Sequence, residues 1–145
     1  MNLLRQWKKV LINDLDSIAF EVSEYLEAPT VILLKGVVGA GKTTFTQAFI
    51  KSIDLDYKTS SPTYSIVNEL GPILHADLYR LEDSSELDML ELPMLLEDKD
   101  YVFIEWPDNH QKNLLNLITD EFHIYCLEIE LVDKDTRNFS FSQLS

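Results

Sequence analysis

Short unbroken apolar runs alternate along this chain with apolar positions spaced three and four apart. Val31-Ile32-Leu33-Leu34 and Tyr101-Val102-Phe103-Ile104 are runs of four, the pattern of strands buried on both faces. Trp7–Ile12 predicts a first strand, with Lys8-Lys9 suited to a sheet edge. Leu15, Ile18, Ala19, Val22 and Leu26 form a helical stripe that Asn13 or Asp14 can cap and that Ala28-Pro29 ends. A second helix is predicted from Lys42 to near Ile53, with Phe45, Ala48 and Phe49 on one side. Tyr64–Leu70 and Ile73–Leu78 read as strands joined about Gly71-Pro72, a hairpin. Period two puts His75 and Asp77 on one face of the second of these.

Ser84 is the predicted N-cap of one acidic helix that turns Leu87, Leu90 and Met94 inward. Asn109–Leu117 predicts a short helix. Phe122–Leu131 alternates as a strand, and Phe139–Phe141 is expected to pair with it as the last. His110 and His123 are expected at surface or strand positions without a catalytic role.

Composition narrows the class. A chain of 145 residues, 46% hydrophobic, predicts one globular domain spanning residues 1–145 with a substantial core. The net charge of −13 argues against gripping free nucleic acid, though an acidic surface can dock on a basic protein partner. A single cysteine, Cys126, excludes an internal disulfide and a cysteine-based zinc cluster, and its apolar strand predicts a core position. No charged-then-apolar leader opens the sequence and no apolar run approaches ~20 residues, so a cytoplasmic, membrane-free protein is expected.

The strongest chemical signal lies between the strand at Val31 and the helix at Lys42. Gly36, Gly39, Ala40, Gly41, Lys42 and Thr43 fit G-x-x-x-x-G-K-T, a phosphate-binding loop. Glycines let the backbone wrap phosphate oxygens closely, and successive N–H groups then face one concavity. The positive end of the helix dipole adds to it. Lys42 offers a point charge for the β and γ phosphates. Thr43 offers a hydroxyl for Mg²⁺, and Thr44 a further phosphate contact.

Glu105 ends the second apolar strand. Ligands of open α/β sheets bind at the carboxyl ends of strands, which sets Glu105 beside the loop as a direct or water-mediated Mg²⁺ ligand; the bland alternative is a surface acid or helix cap. Asp77, at the end of its own strand, can orient an attacking water; the alternatives are an ion pair with Arg80 or a turn cap. Lys42, Asp77 and Glu105 are thus the candidate catalytic residues, Thr43 and Glu105 the candidate metal ligands. The polar loop over Ser61–Thr63, with Tyr64, is a candidate γ-phosphate sensor.

In order, GVVGAGKTT, SPTYSIVNE, HADLYRLED, the ELDML–EL stretch and IEW resemble the bacterial TsaE (YjeE) family, over about residues 31–107. SPTY and DLYRL, correctly spaced, are more specific than the loop alone. The resemblance implies an α/β fold of the P-loop NTPase-like three-layer kind, with antiparallel additions to a mixed central sheet. It implies ATP hydrolysis with Mg²⁺ on Thr43 and Glu105, a requirement for Asp77, and Trp106 and the Ser61–Tyr64 loop near the nucleotide. It also implies TsaB and TsaD as partners in threonylcarbamoyladenosine modification of tRNA, with tRNA met only through that complex.

Val37 stands where the family usually has Asp, Ser60 where Lys precedes SPTY, and Glu91 where Gly is usual; if that Gly had positive φ, the local turn must differ. Ser17 is the nearest equivalent of an adenine-side threonine. Two other readings compete: a small-molecule kinase, weakened because only Arg80 and Arg137 follow the loop, and a nucleotide-dependent binding switch.

Overall fold

The computed structural model describes residues 1–37, 39–53 and 66–144. The Ser61–Tyr64 loop, with Lys58 and Ser60, lies outside the described residues, as does the start of the strand predicted from Tyr64.

Seven strands form one sheet: β1 (Asn2–Val10), β2 (Thr30–Lys35), β3 (Val67–Leu70), β4 (Ile73–Asp77), β5 (Tyr101–Glu105), β6 (His123–Leu131) and β7 (Arg137–Gln143). Their order is β1-β7-β6-β2-β5-β4-β3. The middle, β6-β2-β5-β4, is parallel. The β3–β4 hairpin adds an antiparallel strand at one side, and β7 and β1 add two at the other. Helices cover both faces, completing the expected three-layer α/β architecture. On one face α1 (Leu15–Tyr25) and α2 (Lys42–Ile53) pack Ile18, Val22, Phe45 and Phe49 onto Ile32, Leu34, Phe103 and Leu127. On the other, α3 (Ser84–Met89), α4 (Leu92–Leu96) and α5 (Gln111–Leu117) set Leu87, Leu92 and Leu114 against Val31, Leu33, Val102 and Ile104. This two-sided burial is why β2 and β5 read as unbroken apolar runs.

The hydrophobic pattern misplaces several boundaries. β1 begins at Asn2, earlier than Trp7, because its mostly exposed residues alternate too weakly to show. It is the outermost strand, as Lys8-Lys9 suggest, and it bulges near Lys9, where φ is +53. A 3-10 turn over Ile12–Asp14 precedes α1. Asp14 holds the N-cap position of α1 without capping it through its side chain, which instead accepts from the Leu11 N–H at 3.2 Å. β7 is longer than Phe139–Phe141 because it pairs on both edges, with β6 and β1, and carries polar residues between its phenylalanines.

The acidic helix is two helices. Asp83, not Ser84, caps α3, its carboxylate accepting from the N–H groups of Ser85 and Glu86. The chain breaks at Glu91, whose φ is +54, and restarts as α4 with Pro93 in its first turn. Met94 therefore points outward, 67% exposed, where a single helix would have turned it inward. The residue in the place of the family's usual glycine itself carries the positive φ. His110 is also not at the surface: it is 4% exposed at the N-cap of α5, Nε2 3.4 Å from the Leu81 carbonyl. His123 opens β6 facing Glu27 at 3.7 Å. Cys126 is buried in β6 as expected, and burial pushes its thiol up to about 11.

A left-handed conformation costs a non-glycine residue about 1 kcal/mol or more. Glu91→Gly is expected to raise unfolding stability by about 0.5–1 kcal/mol, read as the shift in a urea midpoint at constant slope. A lower midpoint would mean that Glu91 makes compensating contacts.

Candidate functional site

β2 delivers the chain at Lys35 into the loop that ends where α2 begins. Gly36 lies so close to β6 that a Cβ there would meet the Ile129 carbonyl oxygen at 2.7 Å, so no side chain fits. Gly39 and Gly41 have φ of +82 and +110, and Gly41 launches α2 by accepting from the Phe45 N–H at 2.8 Å. Ala40, 2% exposed, closes a turn by donating its N–H to the Val37 carbonyl at 3.0 Å. The loop thus wraps the N-terminal end of a twelve-residue helix, the end that favours anions.

Lys42 is held at the mouth of the loop. Its ammonium donates to the carbonyls of Gly36 at 2.7 Å and Val37 at 3.1 Å, and lies 3.9 Å from the centre of the Trp106 ring. Burial pulls its pKa down, while Glu105, Asp77 and Asp108 act the other way. Thr43 donates its hydroxyl to Glu105, 2.9 Å from one oxygen and 3.1 Å from the other. Thr44 lines the neighbouring pocket described below.

Two carboxylates complete the cluster because three parallel strands end in register. Leu34 of β2 pairs with Glu105 of β5, and Glu105 with Asp77 of β4. Glu105 is 3% exposed, which excludes the surface-acid alternative. Asp77 is half-buried; burial raises its carboxyl, and the Tyr79 N–H that it accepts at 3.0 Å opposes the rise. That bond is the turn cap among its alternatives, and it leaves the carboxylate lining the cleft. Among the described residues no ion pair joins Asp77 to Arg80. Trp106, with φ +60, is held by its N–H to the Leu34 carbonyl at 3.3 Å and by Tyr79, ring centres 4.9 Å apart. Gly41, Lys42, Thr43, Asp77, Glu105 and Trp106 surround a cleft of about 300 Å³.

The donor set suits Mg²⁺. A threonine hydroxyl and a carboxylate converge within hydrogen-bond distance beside an anion-binding loop, both hard oxygen donors. Among the described residues no group of three or more His, Cys, Asp or Glu could hold a metal by itself. An ion here would draw its remaining ligands from phosphate and water, as Mg²⁺ does.

The pattern of residues gave no role to two groups that the structure brings in. His75 is fully buried and its Nε2 meets Oε2 of Glu105; its shared face with Asp77 was the available signal. Arg137, at the start of β7, donates to the carbonyls of Ala40 at 3.2 Å and Gly39 at 3.3 Å, and to those of Asp133, Lys134 and Thr136. Nothing local in sequence announces this tie across nearly a hundred residues. Arg137 also lines a mostly apolar pocket of about 270 Å³ with Leu11, Ile12, Leu15, Thr44 and Phe139. Arg137→Ala is expected to cost about 1–2 kcal/mol of stability and to speed amide exchange across residues 36–41 in hydrogen–deuterium exchange. Unchanged exchange there would show that the loop holds its shape unaided.

Comparison with known proteins agrees with this architecture. A family model described as "Threonylcarbamoyl adenosine biosynthesis protein TsaE" matches residues 12–139. The tRNA threonylcarbamoyladenosine biosynthesis protein TsaE of Aquifex aeolicus is 30% identical over 143 residues, covering 94% of this chain and 95% of that protein. The protein of that name from Bacillus subtilis is 32% identical over 105 residues, 70% of this chain and 65% of its own. The one from Haemophilus influenzae is 31% identical over 115 residues, 74% and 73%. The crystal structure of Bacillus subtilis YdiB superposes with a TM-score of 0.72 at 20% identity, over 100% of this chain and 89% of that one, a likeness of fold. With the family model spanning nearly the whole chain and the loop, the two strand-end carboxylates and the sheet order in place, the chain belongs to the TsaE family.

Proposed function

We propose that this chain is a single-domain, cytoplasmic, Mg²⁺-dependent ATPase subunit of the machinery that makes threonylcarbamoyladenosine on tRNA, working with TsaB and TsaD. The observation that carries the reading is the meeting of Lys42, Thr43, Asp77 and Glu105 at the mouth of one glycine-rich loop. The family and the names of its relatives supply the pathway. No helix among the described residues is long and apolar enough to cross a membrane.

The division of labour follows from the side chains. Backbone N–H groups at the start of α2 receive the phosphates, and Lys42 exchanges its bonds to Gly36 and Val37 for phosphate oxygens. Thr43 and Glu105 are the residues that would hold the metal, through the hydroxyl and carboxylate oxygens that now meet each other. When bound, Mg²⁺ neutralises charge on the phosphate oxygens. Asp77 faces the cleft as a half-buried carboxylate with a raised pKa, suited to orienting water and receiving its proton. The 270 Å³ pocket beside Ala40 and Thr44 has the size and apolar lining for a purine base. The choice of adenine follows the family resemblance. Weak turnover alone and stimulation by other subunits follow the family resemblance. The net charge of −13 supports leaving tRNA to them.

Lys42→Ala is expected to weaken ATP binding by 10-fold or more, about 1.4 kcal/mol, by calorimetric titration; unchanged affinity removes the loop from the site. The ATPase rate of the purified chain should rise when TsaB, TsaD and tRNA are added, and Glu105→Ala should cut that rate by about 10²-fold with a smaller effect on ATP affinity. A flat, near-zero rate with ATP still bound would favour a binding switch.

A further inference from the structure

The buried contact between His75 and Glu105 is not explained by packing. The face of the sheet under α1 and α2 is otherwise apolar around it: Ile73, Phe103, Ile32 and Leu34 line the same cluster. An aliphatic residue at position 75 would fill that space without the cost of burying an imidazole. His75 is 0% exposed, and its Nε2 meets the same Oε2 that the Thr43 hydroxyl reaches at 2.9 Å. Its other nitrogen, Nδ1, is buried with no hydrogen-bond partner among the described residues. A proton on Nδ1 would be an orphaned buried donor. The neutral Nε2–H tautomer leaves only a lone pair without a partner and points its one N–H at Glu105.

The register explains the reach. His75 pairs with Phe103 in the parallel β4–β5 ladder, two residues before the Asp77–Glu105 pair, on the same face as both. The ring therefore reaches Glu105 from within the sheet, and His75 does not line the cleft that Thr43 and Glu105 share. Thr43 meets Oε2 as His75 does and also Oε1 at 3.1 Å. A carboxylate with one oxygen held by a buried ring is restrained about its last bond, which favours the orientation that keeps it toward Thr43.

We propose that His75 is a positioning residue for the metal–nucleotide site: its Nε2–H anchors Glu105 so that the carboxylate faces Thr43 and whatever cation Thr43 shares. This deepens the ATPase reading and rests on it for the identity of the cation. Such an anchor acts on metal affinity and leaves the phosphate loop untouched, so it predicts a specific split between metal dependence and nucleotide binding.

Two variants separate positioning from packing. The side-chain nitrogen of His75→Gln reaches about where Nε2 sits, whereas that of His75→Asn stops near Nδ1, out of range of Glu105. Both are checked for folding by circular dichroism. Fluorescent ATP-analogue binding is then titrated with Mg²⁺, and repeated in EDTA. The Asn variant should need about 10-fold more Mg²⁺ for half-saturation, with EDTA affinity within about twofold of wild type, and the Gln variant should stay near wild type. Equal Mg²⁺ requirements in all three proteins, or equal loss of EDTA affinity in both variants, would overturn the proposal. If the Asn variant does not fold, His75→Leu, which fills the space without an N–H, takes its place: a raised Mg²⁺ requirement supports the anchor and an unchanged one removes it. A second readout needs no nucleotide. Imidazole ¹⁵N shifts of the wild-type protein should show His75 as the neutral Nε2–H tautomer and should move in Glu105→Ala. An Nδ1–H tautomer, or no response, overturns the anchor. Wild-type protein that shows this tautomer but binds no ATP analogue would instead sink the ATPase reading and leave the His75–Glu105 pair standing.

Discussion

The site depends on parallel register. β2, β5 and β4 run side by side, and Leu34, Glu105 and Asp77 fall in one row across them. Because β2 ends one residue past that row, the loop that follows it opens directly over the two carboxylates. A shift of one residue in β5 would turn Glu105 to the opposite face, toward α3–α5, and leave Thr43 without its partner. The register is held by burial on both faces: Ile32, Leu34 and Phe103 on one side, Val31, Leu33, Val102 and Ile104 on the other. The same residues that make the core therefore align the chemistry, and the carboxyl-end rule for open α/β sheets follows from that geometry.

Around the row, the polar groups partner one another. Lys42 is balanced by loop carbonyls, an aromatic face and the field of Glu105 and Asp77. Glu105, nearly inaccessible to water, accepts from Thr43 and meets His75. Burying these groups is unfavourable unless each has a partner, and the partners are supplied by four separate elements. Under the proposed ATPase reading, phosphate would offer Lys42 charged acceptors in place of neutral carbonyls, and a hard cation would take the place of the Thr43 hydroxyl proton at Glu105.

One strained residue stands at the site itself. Trp106, a bulky residue with φ +60, turns the chain sharply just after Glu105 and is retained by its bond to Leu34, by Tyr79 and by Lys42 over its ring. Such a conformation costs about 1–3 kcal/mol and persists only where surroundings fix it. Here it folds an aromatic surface back over the lysine. Glu91 carries a comparable φ at the break between two helices, away from the cleft.

The order of residues alone determined the elements with strong periodicity and the chemistry concentrated in a short stretch. The runs at Val31–Leu34 and Tyr101–Ile104, the stripe of α1 and the loop from Gly36 to Thr43 are local signals. Their apolar spacing or glycine placement is dictated by the conformation they adopt. The order of motifs was enough to suggest the family, and an acid at the end of a buried strand was enough to suggest Glu105. Weakly patterned or polar segments were not legible: the start of β1, the ends of β7, and the break at Glu91, which a glutamate does not advertise. Nor were contacts made across the sheet. His75 on Glu105 and Arg137 on the loop carbonyls join residues 30 to 98 positions apart. No local pattern encodes such pairs, because they exist only once the strands have taken their order and register.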